Sequence, residues 1–393
     1  MKLSEVQEQL QKSGLDGWLL YDFKMNNPLA WDFLEIPKDK HTTRRFFYWI
    51  PAKGEPVRVV HEIEMHTLDH LSGAKKVYFR WQTLEEILKE IFKGSSKIAM
   101  EYSPKCAVPY VSKVDAGTME LVQGCGVKVV SSAPFLLKST ILSESQVKSL
   151  EEAAIVVEKA LDASWKTIQE ALVKKKPITD CDVQKLILDV FEKNDCFTDA
   201  PPHCAINADS SDPHFVPDKS RPVTIKKGDF ILIDLWCKKN RPDAVYADVT
   251  RLGVAAAEPT KKQKEIFDIV RKAQRDATDF LRKQIAEGKE VKGYEVDQVA
   301  RKVIEDAGYG KYFTHRLGHN ISTELHGPGT HFDSLETYDD RPVLKGAMFS
   351  CEPGIYLPGE FGVRLEYDLY INLNGQVQIF GGEQDNYVLL GSL

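Results

Sequence analysis

Nothing in the 393 residues approaches the roughly 18 consecutive apolar residues that a membrane helix requires. The opening stretch, MKLSEVQEQLQKSGLDG, is polar and helical in pattern and lacks the apolar region of a secretory signal. Cysteine is sparse and scattered: Cys106, Cys125, Cys181, Cys196, Cys204, Cys237 and Cys351 are odd in number and form no CxxC pair. A zinc ribbon and a disulfide framework are therefore not indicated, and reduced thiols in a cytoplasmic protein are expected. A basic excess is also missing. Lys plus Arg number 52 against 58 Asp plus Glu, a formal net charge of -6, which argues against a carrier that binds nucleic acid through its phosphates. No short-period repeat or low-complexity stretch is visible. With 42% hydrophobic and 28% charged residues, the chain has ample material for a core, and its length allows two or three domains.

The first 140 residues read as a small α/β domain. Apolar runs at Trp18 to Tyr21, Phe46 to Ile50, Val57 to Val60, Val77 to Phe79, Ile98 to Met100 and Val127 to Val130 have the length and composition of strands. Leu84, Ile87, Leu88 and Ile91 fall at helical spacing between two of them. The texture then changes. From Val147 to Leu172 apolar residues recur every three or four positions, which predicts one long helix opened by a capping box at Ser143 and Gln146 and stopped near Pro177. Further helices are predicted around Val183 to Phe191, from Thr260 through Phe280 and from Val296 to Ala307. Strands are predicted at Phe230 to Leu235, Val245 to Gly253, Met348 to Cys351 and Gly362 to Ile371. The expected division is 1–140 and 141–393.

Six of the ten histidines lie between 203 and 331, and four segments place a carboxylate in or beside an apolar strand. These are GDFILID with Asp234, VYADVTR with Asp248, SCEPGIY with Glu352 and GVRLEYD with Glu366. Burying carboxylates is costly unless positive charge meets them. Arg251 and Arg364 are too few for four that converge, whereas two divalent cations would balance them. Oxygen ligands with one imidazole suit Mn²⁺, Fe²⁺ or Co²⁺, with Zn²⁺ as an alternative. Two such ions held about 3.5–4 Å apart activate water and polarise a carbonyl, which points to hydrolysis. Taken singly, each of these residues reads as a strand cap, an ion-pair partner or a turn.

Together the segments resemble the pita-bread metallopeptidases, the family of methionine aminopeptidase, prolidase and aminopeptidase P. The match runs through PHFVP around His214, GDFILID, YADVTR, HRLGH followed by His326, SCEPGIY and GVRLEYD, in family order, over roughly residues 140 to 380. The resemblance implies an α+β chain whose C-terminal part is a pita-bread fold, pseudo-twofold α/β halves around a curved antiparallel sheet. The first 140 residues are similar to the smaller domain that precedes it in prolidases, aminopeptidases P and creatinases. It implies metal ligands Asp234, Asp248, His319, Glu352 and Glu366, and catalytic roles for His214, His326 and Glu352. His315 and Arg364 align with positions that either stand behind the ligands or face the substrate, and Arg341 is a weaker candidate for a substrate carboxylate. The implied activity is removal of the residue before proline from Xaa-Pro dipeptides or short Xaa-Pro peptides. A hydroxide bridging two divalent metals, Mn²⁺ first among them, would attack the bond in a cytoplasmic homodimer. Short proline-containing peptides are the expected partners, with no nucleic acid and no membrane.

The departures concern the surroundings of the ligands. The spacing from Asp234 to Asp248 is longer than the motif, which predicts an insertion and leaves Asp243 as a rival. The glycine-rich GHGIG reads Gly318-His319-Asn320-Ile321-Ser322, and the acidic pair of the last motif reads Glu366-Tyr367-Asp368. His203 is the runner-up to His214. Two other readings share the fold, a creatinase-like hydrolase of a non-peptide C–N bond and a non-catalytic binding module. Relatives of both kinds lose ligands, and this chain retains all five.

Overall fold

The short apolar runs of the first third pair into one six-stranded sheet. In the computed structural model, which describes residues 3–37 and 39–391, its strands are β1 (Gly17–Asp22), β2 (Phe46–Pro51), β3 (Val57–His61), β4 (Ala74–Tyr78), β5 (Lys97–Met100) and β6 (Lys128–Ser131). Their order is β4-β3-β2-β1-β5-β6, with β2 antiparallel to both neighbours and the other pairs parallel. Every residue of β1 is buried. Side chains alternate across a strand, so Trp18 and Leu20 enter one core while Leu19 and Tyr21 enter the other. Helices α1 (Leu3–Lys12), α2 (Pro28–Phe33) and α5 (Ala133–Leu136) cover the first face, α3 (Trp81–Ile91) and α4 (Ala116–Gln123) the second. Cover on both faces is why these strands read as continuous apolar runs.

The chain divides into two compact units, Met1–Ser139 and Thr140–Leu393. The second unit opens with α6 (Glu144–Lys174), started by the capping box of Ser143 and Gln146, and α7 (Asp180–Lys193). Strands β7 (Cys196–Phe197), β8 (His203–Ile206), β9 (Phe230–Lys239) and β10 (Ala247–Val254) follow. The pattern then recurs: α8 (Lys261–Ala286) and α9 (Gly293–Asp306) precede β11 (Asn320–Ile321), β12 (Met348–Cys351), β13 (Gly354–Leu357), β14 (Phe361–Arg364), β15 (Tyr367–Ile371), β16 (Val377–Phe380) and β17 (Val388–Leu389). Each half is thus a helix pair followed by an antiparallel sheet. Leu150 and Ile168 of α6 are fully buried against the first sheet, each contributing about 1.5–3 kcal/mol relative to exposure. No helix among the described residues is long and apolar enough to cross a membrane.

The strand predicted over Gly362 to Ile371 is two strands. Arg364 pairs with Gly354 in the β13–β14 hairpin, whereas Tyr367 pairs with Cys351 in the four-stranded sheet β11-β12-β15-β16. The chain changes sheet at Leu365 and Glu366, and Glu366 is thereby freed from ladder pairing. Its N–H donates to the Thr250 carbonyl of β10 (3.4 Å), and the Asp248 N–H donates to Asp368 Oδ2 (2.9 Å). The five-stranded and four-stranded sheets of the second unit meet along this line.

Candidate metal centre

The antiparallel register of β9 and β10 pairs Asp234 with Thr250 and Trp236 with Asp248. A period of two then sends Asp234, Asp248 and Thr250 to the same face. The extra residues between the two aspartates form the loop at the far end of the pair and leave this register intact. The rival Asp243 lies in that loop, exposed beside Arg241.

The second half supplies the rest. Glu352 follows β12 directly, with its N–H on the Leu317 carbonyl (2.8 Å), and the Ser350 N–H donates to the His319 carbonyl (2.9 Å). Ser350 Oγ accepts the His319 N–H (2.9 Å) and donates to Glu352 Oε1 (3.0 Å), so one hydroxyl aligns both residues. Gly318 permits this approach, because a Cβ there would lie 2.1 Å from the Ser350 carbonyl oxygen. His319 Nε2 lies 3.4 Å from Glu352 Oε1 and 3.6 Å from Asp248 Oδ2. Ligand atoms of Asp248, His319 and Glu366 all fall within 4.8 Å of one another.

Thr250 joins the remaining carboxylates, its Oγ1 lying 2.9 Å from Asp234 Oδ1 and 2.6 Å from Glu366 Oε2. A hydroxyl has one proton, so it donates to only one of them at a time. Arg364 donates to Asp234 Oδ2 (2.6 Å), Thr250 Oγ1 (3.0 Å) and Tyr356 Oη (3.0 Å). Arg251, the other cation expected to neutralise the cluster, instead donates to the carbonyls of Thr250, Glu366, Gly381 and Gly382, where it braces backbone.

The electrostatics follow from this shortage of cations. Burial raises the Asp234 carboxyl, but Arg364, assisted by His203 and Thr250, outweighs it and holds Asp234 below the usual carboxylate range. Asp248 and Glu366 lie well above that range, through burial and then through the other carboxylates. Burial lifts Glu352 to about 7 against the opposing charges of Arg364 and Arg316. His319 is held far below its ordinary value by burial, leaving a neutral imidazole. Asp248 Oδ1 is buried and meets no hydrogen-bond donor among the described residues. An orphaned carboxylate oxygen, a neutral imidazole and converging carboxylates in excess of nearby cations form a donor set that fits divalent metal.

The other predicted residues lie at varied distances from this cluster. His326 packs edge-on against His319, ring centroids 4.3 Å apart. His315 hydrogen-bonds with Tyr356 Oη (2.8 Å) and the Arg316 carbonyl (2.7 Å), and burial, reinforced by Arg364, lowers it to about 3. His214 is exposed, and among the described residues no hydrogen bond ties its ring to the carboxylates, although Arg364 Nη1 reaches the preceding Pro213 carbonyl (3.4 Å). His203 is directly attached: β8 pairs it with Asp234, and its Nδ1 lies 3.2 Å from Asp234 Oδ2. Arg341 requires a correction. It is buried, it bonds both oxygens of Asp339 (2.8 and 2.6 Å), and it donates to the Pro328 and Gly329 carbonyls. With four of five donors engaged, it braces the loop after His326 and is not a free clamp for a substrate carboxylate.

Thr250, Tyr356, Ser350 and Asp368 escaped prediction. Thr250 stands inside a quoted motif, but a threonine in a strand carries no chemical signal until its register is known. Asn320, flagged as a departure, has a defined task. Its buried amide donates to the Met348 carbonyl (2.9 Å) and accepts the Gly329 N–H (3.0 Å), tethering the loop that follows His326.

The model of metallopeptidase family M24 matches residues 148–372. An Xaa-Pro dipeptidase from Pyrococcus horikoshii is 31% identical over 245 residues, 62% of this chain and 64% of the relative. One from Lactobacillus delbrueckii subsp. lactis is 32% identical over 226 residues, 57% and 55% of the two chains. These alignments thus span less than two thirds of either relative. A dipeptidase structure from Mycobacterium ulcerans superposes with a TM-score of 0.73 at 21% identity, covering 99% of this chain and 97% of that one, a likeness of fold alone. The expected α+β, pita-bread architecture with a smaller preceding domain is the one this chain adopts.

Proposed function

The chain belongs to metallopeptidase family M24, and from that premise we propose that it hydrolyses the peptide bond before proline in Xaa-Pro dipeptides or short Xaa-Pro peptides. Two of the relatives carry Xaa-Pro dipeptidase as their name, which supports this substrate class. The observation that carries the reading is the convergence of Asp234, Asp248, Glu352 and Glu366, with Asp248 Oδ1 lacking any donor among the described residues.

Asp234, Asp248, His319, Glu352 and Glu366 would hold two divalent ions, Mn²⁺ by preference. When bound, such ions activate water and polarise the scissile carbonyl. The chain's own residues supply the rest. Thr250 and Arg364 fix the orientations of Asp234 and Glu366, and Ser350 fixes those of His319 and Glu352. Glu352 Oε takes a proton from the attacking water and passes it to the prolyl nitrogen. That nitrogen is a tertiary amide with no N–H of its own, and it leaves far more readily once protonated. His326, beside His319, donates to the carbonyl oxygen as negative charge develops there, with His214 as a second donor from its exposed position. A cytoplasmic homodimer remains our reading of the resemblance.

The test is release of the N-terminal residue from one Xaa-Pro dipeptide and one Xaa-Pro tripeptide, each with Mn²⁺ and with a chelator. Metal-dependent cleavage of the dipeptide alone supports a prolidase, and cleavage of the tripeptide an aminopeptidase P. Failure on both, in protein that holds two metal ions, would overturn the substrate assignment.

A further inference from the structure

The first unit contains a cavity of about 800 Å³ that the proposed hydrolysis does not use. Its wall includes Tyr21, Phe23, Asn26, Arg45, Lys113 and Asp115, all from that unit. Arg45 and Lys113 are half-buried, and among the described residues neither side chain forms an ion pair with a carboxylate. Asp115 does not pair with them. It accepts from Tyr21 Oη (2.9 Å), Thr118 Oγ1 (2.8 Å) and the Thr118 N–H (2.8 Å). Two partly desolvated cations outside any ion pair, in a hollow with room for a ligand, are what an anion site presents before it is filled.

The wall is also held in one shape. Lys24 and Met25 both adopt left-handed backbone (φ 55° and 59°), an unfavourable conformation for two successive non-glycine residues. Buried Asp22 holds them there by accepting the N–H groups of Met25 (3.0 Å) and Asn27 (2.8 Å). The result leaves Phe23 exposed at the cavity wall instead of in the core.

We propose that this cavity is a second ligand site, taking a small molecule with one carboxylate and an apolar body. Arg45 and Lys113 would receive the carboxylate, and the rings of Phe23 and Tyr21 the apolar part. A single negative charge fits because two cations and the Asp115 carboxylate leave one net positive charge on the wall, less than a phosphate dianion would call for.

The test is isothermal titration of the full Mn²⁺-loaded chain with 3-phenylpropionate and with its uncharged amide. A carboxylate could instead bind at the metal centre, so Asp248→Asn is titrated in parallel. The expected result is saturable binding of the acid, retained in Asp248→Asn. The amide should bind at least roughly tenfold more weakly, and Arg45→Met and Lys113→Met should each lose about tenfold, the scale of one charge-assisted hydrogen bond. Both variants replace partly exposed side chains, and unchanged thermal unfolding would show that each folds. Binding lost in Asp248→Asn but kept in Arg45→Met and Lys113→Met would assign the acid to the metal centre and overturn the proposal. So would the absence of saturable binding.

Discussion

The two units each bury carboxylates, and they do so in opposite ways. In the first, Glu101 is fully buried, and three neutral donors meet it: Trp18 Nε1 (2.6 Å), Asn27 Nδ2 (2.9 Å) and Ser132 Oγ (3.3 Å). In the second, Asp234, Asp248, Glu352 and Glu366 converge, and of the two expected cations only Arg364 meets them through its side chain. Glu101 can remain buried by titrating, since burial lifts it to about 7. The cluster cannot be relieved in that way without losing its use, because protonated carboxyls do not hold metal. A satisfied buried acid reads as structure, and an unsatisfied group of them as a binding site.

The sharpest way to break this contrast is Asp248→Asn. Activity should fall by roughly 10³-fold or more, the scale of losing metal assistance worth several kcal/mol. The metal-free variant should also unfold at a higher temperature than the metal-free parent, because one source of repulsion is gone, while adding Mn²⁺ should stabilise only the parent strongly. A metal-free variant less stable than the parent would mean that repulsion does not govern this cluster.

Thr250→Val tests whether the hydroxyl between Asp234 and Glu366 orients ligands. We expect a loss of roughly 10–100-fold in metal affinity or activity, the usual scale for groups behind a metal ligand. Unaltered metal titrations would remove Thr250 from the site. Arg341→Met distinguishes a loop brace from a substrate clamp. A brace lowers kcat/KM by a similar factor for an Xaa-Pro dipeptide and for its C-terminal amide, whereas a clamp penalises only the free acid. The equal effect is expected.

A last test, on stability and not on activity, concerns Glu101 and the pH dependence of unfolding in Mn²⁺-loaded protein. Its folded value, about 7, lies above the ordinary 4.5, so the folded state holds the proton more tightly. Its stabilising contribution is complete below pH 4.5 and is lost as pH rises through about 7, a change of about 3 kcal/mol. Glu101→Gln should flatten that part of the profile relative to the parent. Parallel pH profiles for the two proteins would show that Glu101 does not titrate in this window.

Much of the candidate site was legible because its carboxylates sit in or beside apolar strands, where an unpaired charge is conspicuous. The helix starts at Ser143 and Thr260 were legible because capping boxes are local chemistry. What was not legible depended on contacts distant in sequence. His203 and His214 are alike as residues, and only the pairing of β8 with β9 sets His203 against Asp234. Arg251 and Arg364 carry the same charge, yet one braces carbonyls while the other holds Asp234. Arg341 is a different case: its partners Asp339 and the 328–329 carbonyls are near in sequence, and it was the conformation of that loop that sequence could not supply.

By itself, then, the amino-acid sequence determined the long helices, several of the strands and the residue types able to hold metal, because periodicity, capping and charge burial act over a few residues. Which of these groups meet, which cation is engaged elsewhere and which hydroxyl bridges two acids was decided only by the tertiary structure. Hydrogen bonds and ion pairs act over about 3 Å, and the fold alone brings residues a hundred positions apart within that reach.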